Sequence, residues 1–164
     1  MIVADKAKKL VKRCKTNNPF DICNTLGIEI VYADIGSLKG MYTCIKRNRF
    51  IVINQNLNIH MKKMVCAHEL AHDQLHRNVS SSSWIKDSEL YLNNTKQEYE
   101  ANVFVAELLV DENSLIELIN QKKSIDEIAK ALFVDPTIIS LKVRLLIDKG
   151  YEYIPQDYDS KFLK

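Results

Sequence analysis

The sequence predicts an α+β domain, in which a small antiparallel three-stranded sheet packs on a buried helix and the C-terminal half is mainly helical. Three observations carry that expectation. Apolar residues recur at helical spacing near the N-terminus, three short β-branched runs follow between turn signals, and a helical period returns near residue 57 and persists. Strand and helix patterns are segregated along the chain, unlike the alternation that βαβ units produce.

Val3, Ala7, Leu10, Val11 and Cys14 form the inward stripe of a first helix. Asn18-Pro19 supplies a cap and a first-turn proline for a second, which Gly27 closes. The apolar runs 28–32, 41–45 and 50–53 are the strands, separated by a glycine-bounded stretch at 36–40 and a tight turn at 46–48. Between 57 and 76, Met61, Met64, Val65, His68, Ala71, His72 and Leu75 share one side of a helix that should be buried. Residues 78–94, with a serine run at 80–83, lack periodicity and are expected to be a surface loop, a lip over a cleft. A strong helical pattern occupies 95–110, and two or three helices follow it. Ser124 and Glu127 form a capping box for one that ends at Leu132 or Phe133, and Asp135-Pro136 opens another that Gly150 ends. Residues 1–150 are expected to form a single domain with a helical subregion at about 111–150, followed by a tail at 151–164.

A chain of 164 residues buries about 68–70% of its unfolded surface, so no metal is needed merely to fold it. The formal charge of +2 gives no general electrostatic case for nucleic acid or membrane, and direct nucleic-acid binding is not expected. The first ten residues carry Asp5, Lys6, Lys8 and Lys9 where a signal peptide needs an apolar core, and a cytoplasmic location is expected. Cys14, Cys23, Cys44 and Cys66 are scattered, without a CxxC pair, and are expected to be reduced core residues.

The chemistry concentrates in His68-Glu69-Leu70-Ala71-His72. Residues four apart stack on one helix face, so both imidazoles can reach one metal ion, while Glu69, about 100° round the axis, stays free to handle a proton. A catalytic zinc ion takes three protein ligands, so one more is required. His60 and His76 each stand eight residues, about 12 Å, from His68, too far to share an ion with it on one straight helix. His76 is therefore expected beside the site rather than in it. The helix at 96–109 offers Glu98 on the side of Ala101, Asn102, Val105 and Leu109, whereas Glu100 aligns with Lys96 and Glu107 and is expected to face outward. Thr95 to Glu98 also fits a capping box, so Glu98 has two available roles, ligand or cap. Asn102 could hydrogen-bond the far nitrogen of a metal-bound histidine.

In this order, Gly27-Ile28-Glu29-Ile30-Val31-Tyr32, Gly36 to Gly40, Ile51-Val52-Ile53-Asn54, Ala67 to His72 with Leu75-His76, and Glu98-Tyr99-Glu100-Ala101-Asn102 with Phe104 and Glu107-Leu108-Leu109 resemble the ImmA/IrrE family of zinc-dependent metallopeptidases. The resemblance covers roughly residues 18–110. Two positions depart from it: Ala71 stands where the family usually has Gly, and Val110-Asp111 replaces a common Met-Pro. The resemblance implies one catalytic Zn2+ held by His68, His72 and Glu98, with Glu69 as catalytic base. It implies a site-specific endopeptidase whose protein substrate is an XRE-type helix-turn-helix repressor of a mobile element, phage or stress regulon. If the third strand is an edge strand at the cleft, a substrate could pair with Ile51, Val52, Ile53 and Asn54.

Two other classes compete. Residues 124–146 resemble a helix-turn-helix, although the would-be reading helix carries only Lys142 and Arg144 as cations. An interaction protein with a structural zinc is the other, and the intact Glu69 speaks against it, since a closed structural site has no use for that carboxylate.

Overall fold

The computed structural model describes residues 2–77, the backbone of 82–86, and 95–151. The two N-terminal helices form as the sequence predicts. Helix α1 (Ile2–Cys14) buries Ala7 and Leu10, and α2 (Pro19–Leu26) is capped by the Asn18 side chain and ends at Gly27, in the left-handed region. Strands β1 (Ile28–Ala33), β2 (Leu38–Ile45) and β3 (Asn48–Asn54) follow. Lys46 and Arg47 both take positive φ, which matches the two-residue turn that suits a right-twisted hairpin.

The α+β class stands, but the sheet is mixed and has four strands in the order β1-β3-β2-β4. β2 pairs antiparallel with β3, whereas β1 pairs parallel with β3 on its other side, Ile28 opposite Arg49. The chain therefore reverses after β1 without pairing β1 to β2, and β3 inserts between them. Asn54 holds that crossing in place. Its Nδ2 donates to the carbonyls of Gly36 (3.0 Å) and Leu38 (2.8 Å), and its Oδ1 accepts from the Asn56 N–H. The arrangement covers both edges of the strand carrying Ile51 and Ile53, which have no exposure. Two expectations are corrected here. β3 is not an edge strand, so Ile51, Val52 and Ile53 have their backbones already paired, and the Asn54 side chain is committed to the fold.

The fourth strand, β4 (Ser82–Lys86), pairs antiparallel with β2 and lies within the stretch expected to be loop. The alternation that marks a strand is obscured there by the serine run. The rest of that loop, and the tail from 152 onward, lie outside the described residues.

Helix α3 (Ile59–His76) crosses β2 and β3 and packs on α2 and α4. Every residue from Met64 to Asp73 is buried. The crossing requires Gly40 on β2, because a Cβ there would stand 2.3 Å from Val65 Cγ1. Helix α4 (Lys96–Leu109) is enclosed by α1, α3 and α7, so beyond its first turn it has no outer face. That enclosure corrects the outward row assigned to Glu107, whose side chain has no exposure.

Helices α5 (Glu112–Asn120), α6 (Ile125–Leu132) and α7 (Pro136–Asp148) complete the domain. The Ser124–Glu127 capping box forms in both directions, and Phe133 ends α6 in the left-handed region. Ile128, Ile138, Ile139, Val143 and Leu146 join the same core as the sheet and α3, so α6 and α7 face inward. Lys142 is buried, with its ammonium 2.9 Å from Glu107, and Lys149 reaches the same carboxylate at 3.2 Å. The helix that could have read DNA therefore spends one of its two cations inside the protein. Burial alone would raise the Glu107 pKa, but the Lys142 and Lys149 ammoniums hold it below the ordinary glutamate value. None of the described helices is long and apolar enough to cross a membrane.

Removing Lys142 leaves the buried Glu107 with only its contact to the more exposed Lys149 as strong compensation. Lys142→Met is expected to cost about 3–5 kcal/mol in urea denaturation, and Glu107→Gln in the same chain should recover much of it. Equal stability of Lys142→Met and the parent would show that the pair is not buried in solution.

Candidate metal centre

The N-cap Asn58 accepts from the Met61 N–H at 2.8 Å and sets the start of α3. Nine residues further on, helical spacing stacks His68 over His72, with ring centroids 4.9 Å apart and each residue 1% exposed. Their Nε2 atoms point the same way and lie 3.1 Å apart. Across the interface, Glu98 rises from the first turn of α4. Thr95 caps that helix by accepting the Glu98 N–H at 3.2 Å, but the Glu98 carboxylate turns to the histidines: Oε2 lies 3.1 Å from His68 Nε2 and Oε1 lies 3.4 Å from His72 Nε2. The glutamate left with two available roles by the sequence thus has its backbone in the cap and its side chain at the imidazoles.

Among the described residues, His68, His72 and Glu98 form a group of ligand atoms able to hold a metal ion. The two Nε2 atoms lie 3.1 Å apart and each faces its own Glu98 oxygen, at 3.1 and 3.4 Å, close to the roughly 3.3 Å that two metal bonds of about 2.0–2.1 Å at a tetrahedral angle would span. One proton can bridge two of these atoms, but acceptors converging from three sides are satisfied together by a cation. The donor set of two imidazoles and one carboxylate fits such an ion.

The electrostatics agree. Burial, reinforced by the neighbouring His68, lowers the His72 pKa to about 3 against the opposing pull of Glu98. Burial raises the Glu98 pKa, but the adjacent histidines outweigh it and leave the carboxyl below its ordinary value. Both shifts favour the deprotonated forms that ligate metals.

Glu69 is fully buried between α3 and β2, with Oε1 3.5 Å from the point where a Gly40 Cβ would stand. Glycine at that position gives the carboxylate room against the sheet. His76 is kept out of the triad, as its spacing predicts: its Nε2 lies 3.6 Å from Glu100 Oε2, and its ring centroid is 5.6 Å from that of His72. Glu100 is therefore not simply outward; it is half-buried between His76 and Lys96. The hydrogen bond expected from Asn102 to a far histidine nitrogen is not made, since Nδ1 of His68 and of His72 has no hydrogen-bond partner among the described residues. The Nε2 edges face α4, which turns the Nδ1 edges away from it. Cys66 belongs to the core, 3.8 Å from Cys23 Sγ, and His60 stacks on Phe133 at the surface.

Sequence reasoning missed the anchor of the metal helix. Asp73, next to His72, has a fully buried side chain that accepts from Arg49 Nη1 (3.1 Å) and Arg77 Nη2 (2.9 Å). Arg49 also donates to the Leu26 carbonyl, so one guanidinium ties the end of α2 and strand β3 to α3. Burial, together with the Asp73 carboxylate, raises the pKa of the fully buried Tyr42. The Asp73/Arg77 spacing was visible as an ordinary i,i+4 pair; nothing in the sequence pointed to Arg49.

The pH dependence of the metal-free chain has a definite sign. A histidine held neutral when folded but titrating near 6.5 when unfolded makes the unfolded state bind the extra proton, so stability falls as pH drops below about 6.5. Urea denaturation in chelator should show a decline of up to about 1.4 kcal/mol per pH unit from this group between pH 6 and 5, removed in His72→Gln. Identical slopes in variant and parent would show that His72 is not held neutral.

Known proteins share this pattern. The model of the IrrE N-terminal-like domain family, Peptidase_M78, matches residues 23–142. The chain is 32% identical over 142 residues to "Uncharacterized immunity region protein 2" of Bacillus phage phi105, covering 86% of this chain and 89% of that protein. It is 29% identical over 115 residues to "Metallopeptidase ImmA" of Bacillus subtilis strain 168, covering 70% and 67% respectively. With the family model spanning most of the chain and the ligand triad assembled inside the matched region, the protein belongs to the ImmA/IrrE family of metallopeptidases.

Proposed function

We propose that this protein is a zinc-dependent, site-specific endopeptidase that cleaves a helix-turn-helix repressor of the XRE type. The observation carrying the reading is the His68, His72 and Glu98 triangle with a buried glutamate, Glu69, next to its first ligand. Two imidazoles, one carboxylate and separations near 3.3 Å suit zinc among the metals that favour tetrahedral sites. Such an ion supplies Lewis acidity, which polarises a peptide carbonyl and acidifies water. Glu69 takes the proton from the attacking water and returns it to the departing amine, and its burial keeps that carboxylate out of competition with bulk solvent. His68, His72 and Glu98 stay deprotonated throughout as a fixed ligand set.

The substrate enters as an extended strand. β3 is closed on both sides, but β4 ends the sheet, and β2 places it beside Gly40, the neighbour of Glu69. A peptide added to the outer edge of β4 runs along the same side of the sheet as the base. The repressor class draws support from the phage immunity-region relative and from ImmA, and the cytoplasmic setting follows from a substrate that binds DNA.

Incubation with the XRE-type repressors of its own genome should give cleavage of one of them at one bond, abolished by chelator and restored by Zn2+. Glu69→Gln is expected to lower the rate at least about 100-fold while retaining one metal ion per chain by elemental analysis. Cleavage undiminished in that variant would overturn the assignment of the base. Repressors all left intact by the zinc-loaded parent would overturn the substrate class.

A further inference from the structure

The net charge of +2 conceals a strong segregation. Residues 2–15 hold six of the 23 cations, Lys6, Lys8, Lys9, Lys12, Arg13 and Lys15, and one of the 21 acids, Asp5, so this short segment carries +5 and the remainder −3. All six cations are exposed; five lie on α1 outside its buried Ala7 and Leu10 stripe, and Lys15 follows its end. Lys8 reaches Glu107 at 3.8 Å. The other five have no ion-pair partner among the described residues. Lys6, Lys9 and Arg13, one ridge of the helix, line a cavity of about 250 Å³ with Leu10 and Gln74, and no carboxylate belongs to its wall.

From this arrangement we propose that α1 is a docking surface for the phosphate backbone of duplex DNA. The simpler account, cations placed to complement the helix dipole, covers Lys12 and Arg13 in the last turn. It does not cover Lys6, in the N-terminal half where the dipole disfavours positive charge, or Lys9, mid-helix and outside the last turn where the dipole acts. Concentrating unpaired cations on one ridge is a cost in self-repulsion that a polyanion relieves. An anionic membrane fits less well. Interfacial helices bury an apolar face among lipid chains, and the apolar face of α1 is already packed on α4. Ridge spacing also suits a backbone: Lys6, Lys9 and Arg13 span about 10 Å along the axis, enough for neighbouring phosphates. Gln74, on the cavity wall, points about 200° round α3 from His72, so a duplex on α1 leaves the ligand face of that helix uncovered. The binding is to backbone and carries no base specificity. It does not depend on the peptidase reading.

The test is fluorescence anisotropy of a labelled 20-base-pair duplex of arbitrary sequence, titrated with the full chain between 50 and 200 mM salt. The expected result is binding whose log–log salt slope is about −3, roughly a 60-fold weakening over that range. Lys6→Gln/Lys9→Gln/Arg13→Gln should weaken it at least 10-fold and flatten the slope, with far-ultraviolet circular dichroism and zinc content unchanged. The control Lys122→Gln/Lys130→Gln/Arg144→Gln removes the same charge from the C-terminal region, one cation from a turn and two from helices, and should retain most of the binding. No binding at 50 mM salt, or loss in the control with retention in the α1 variant, overturns the proposal. So does sedimentation with anionic phospholipid vesicles in the absence of duplex binding.

Discussion

A helix carrying two histidines, a glutamate and an aspartate in six residues has been placed in the middle of this protein, and the rest of the structure is arranged to tolerate it. Isolated, each of those groups would cost several kcal/mol to bury. The solution is a division of labour by helix face. The Nε2 edges of His68 and His72 meet Glu98 from α4, Asp73 meets Arg49 and Arg77, and Glu69 lies against the gap left by Gly40. α3 cannot rotate without breaking one of these matches, which is why its two imidazoles are held facing Glu98.

The same logic recurs at the other end of α4. Glu107 is a carboxylate buried among helices, and Lys142 and Lys149 from α7 neutralise it. A buried carboxylate thus joins α4 to the imidazoles of α3 at its first turn and to the ammoniums of α7 at its last. The likeness of α6 and α7 to a helix-turn-helix is a likeness of local pattern: a cap, a left-handed residue and a second cap also describe two helices that turn a corner to close a core.

Much of this was legible because local rules fix local structure. Caps at Asn18, Ser124 and Asp135, the closing Gly27, and the helical period across the HExxH segment each act within one or two turns of chain. The placement of Glu98 beside the histidines was legible because its helix face narrowed the choice. What escaped was the tertiary matching. Parallel pairing of β1 with β3 has no local signature, since a short reversing loop fits a hairpin equally well. Glu107 looked outward because helical phase relates residues to one another but does not say how many sides of a helix are covered. The cationic ridge of α1 was hidden for a different reason: a net charge sums over the chain and discards position.

The side chain of Asn54 has a consequence for where the chain can be lengthened. The two connections of the β1–β3 region look alike in being short, yet they are mechanically different. At 46–47 both residues are exposed and the hairpin simply turns. At 34–37 the backbone is a strap drawn across the end of β3, tied down by Asn54 at Gly36 and, just beyond it, at Leu38. A tag or a grafted epitope inserted at the first leaves the sheet order intact, while one inserted at the second loosens the knot that keeps the middle strand in the middle.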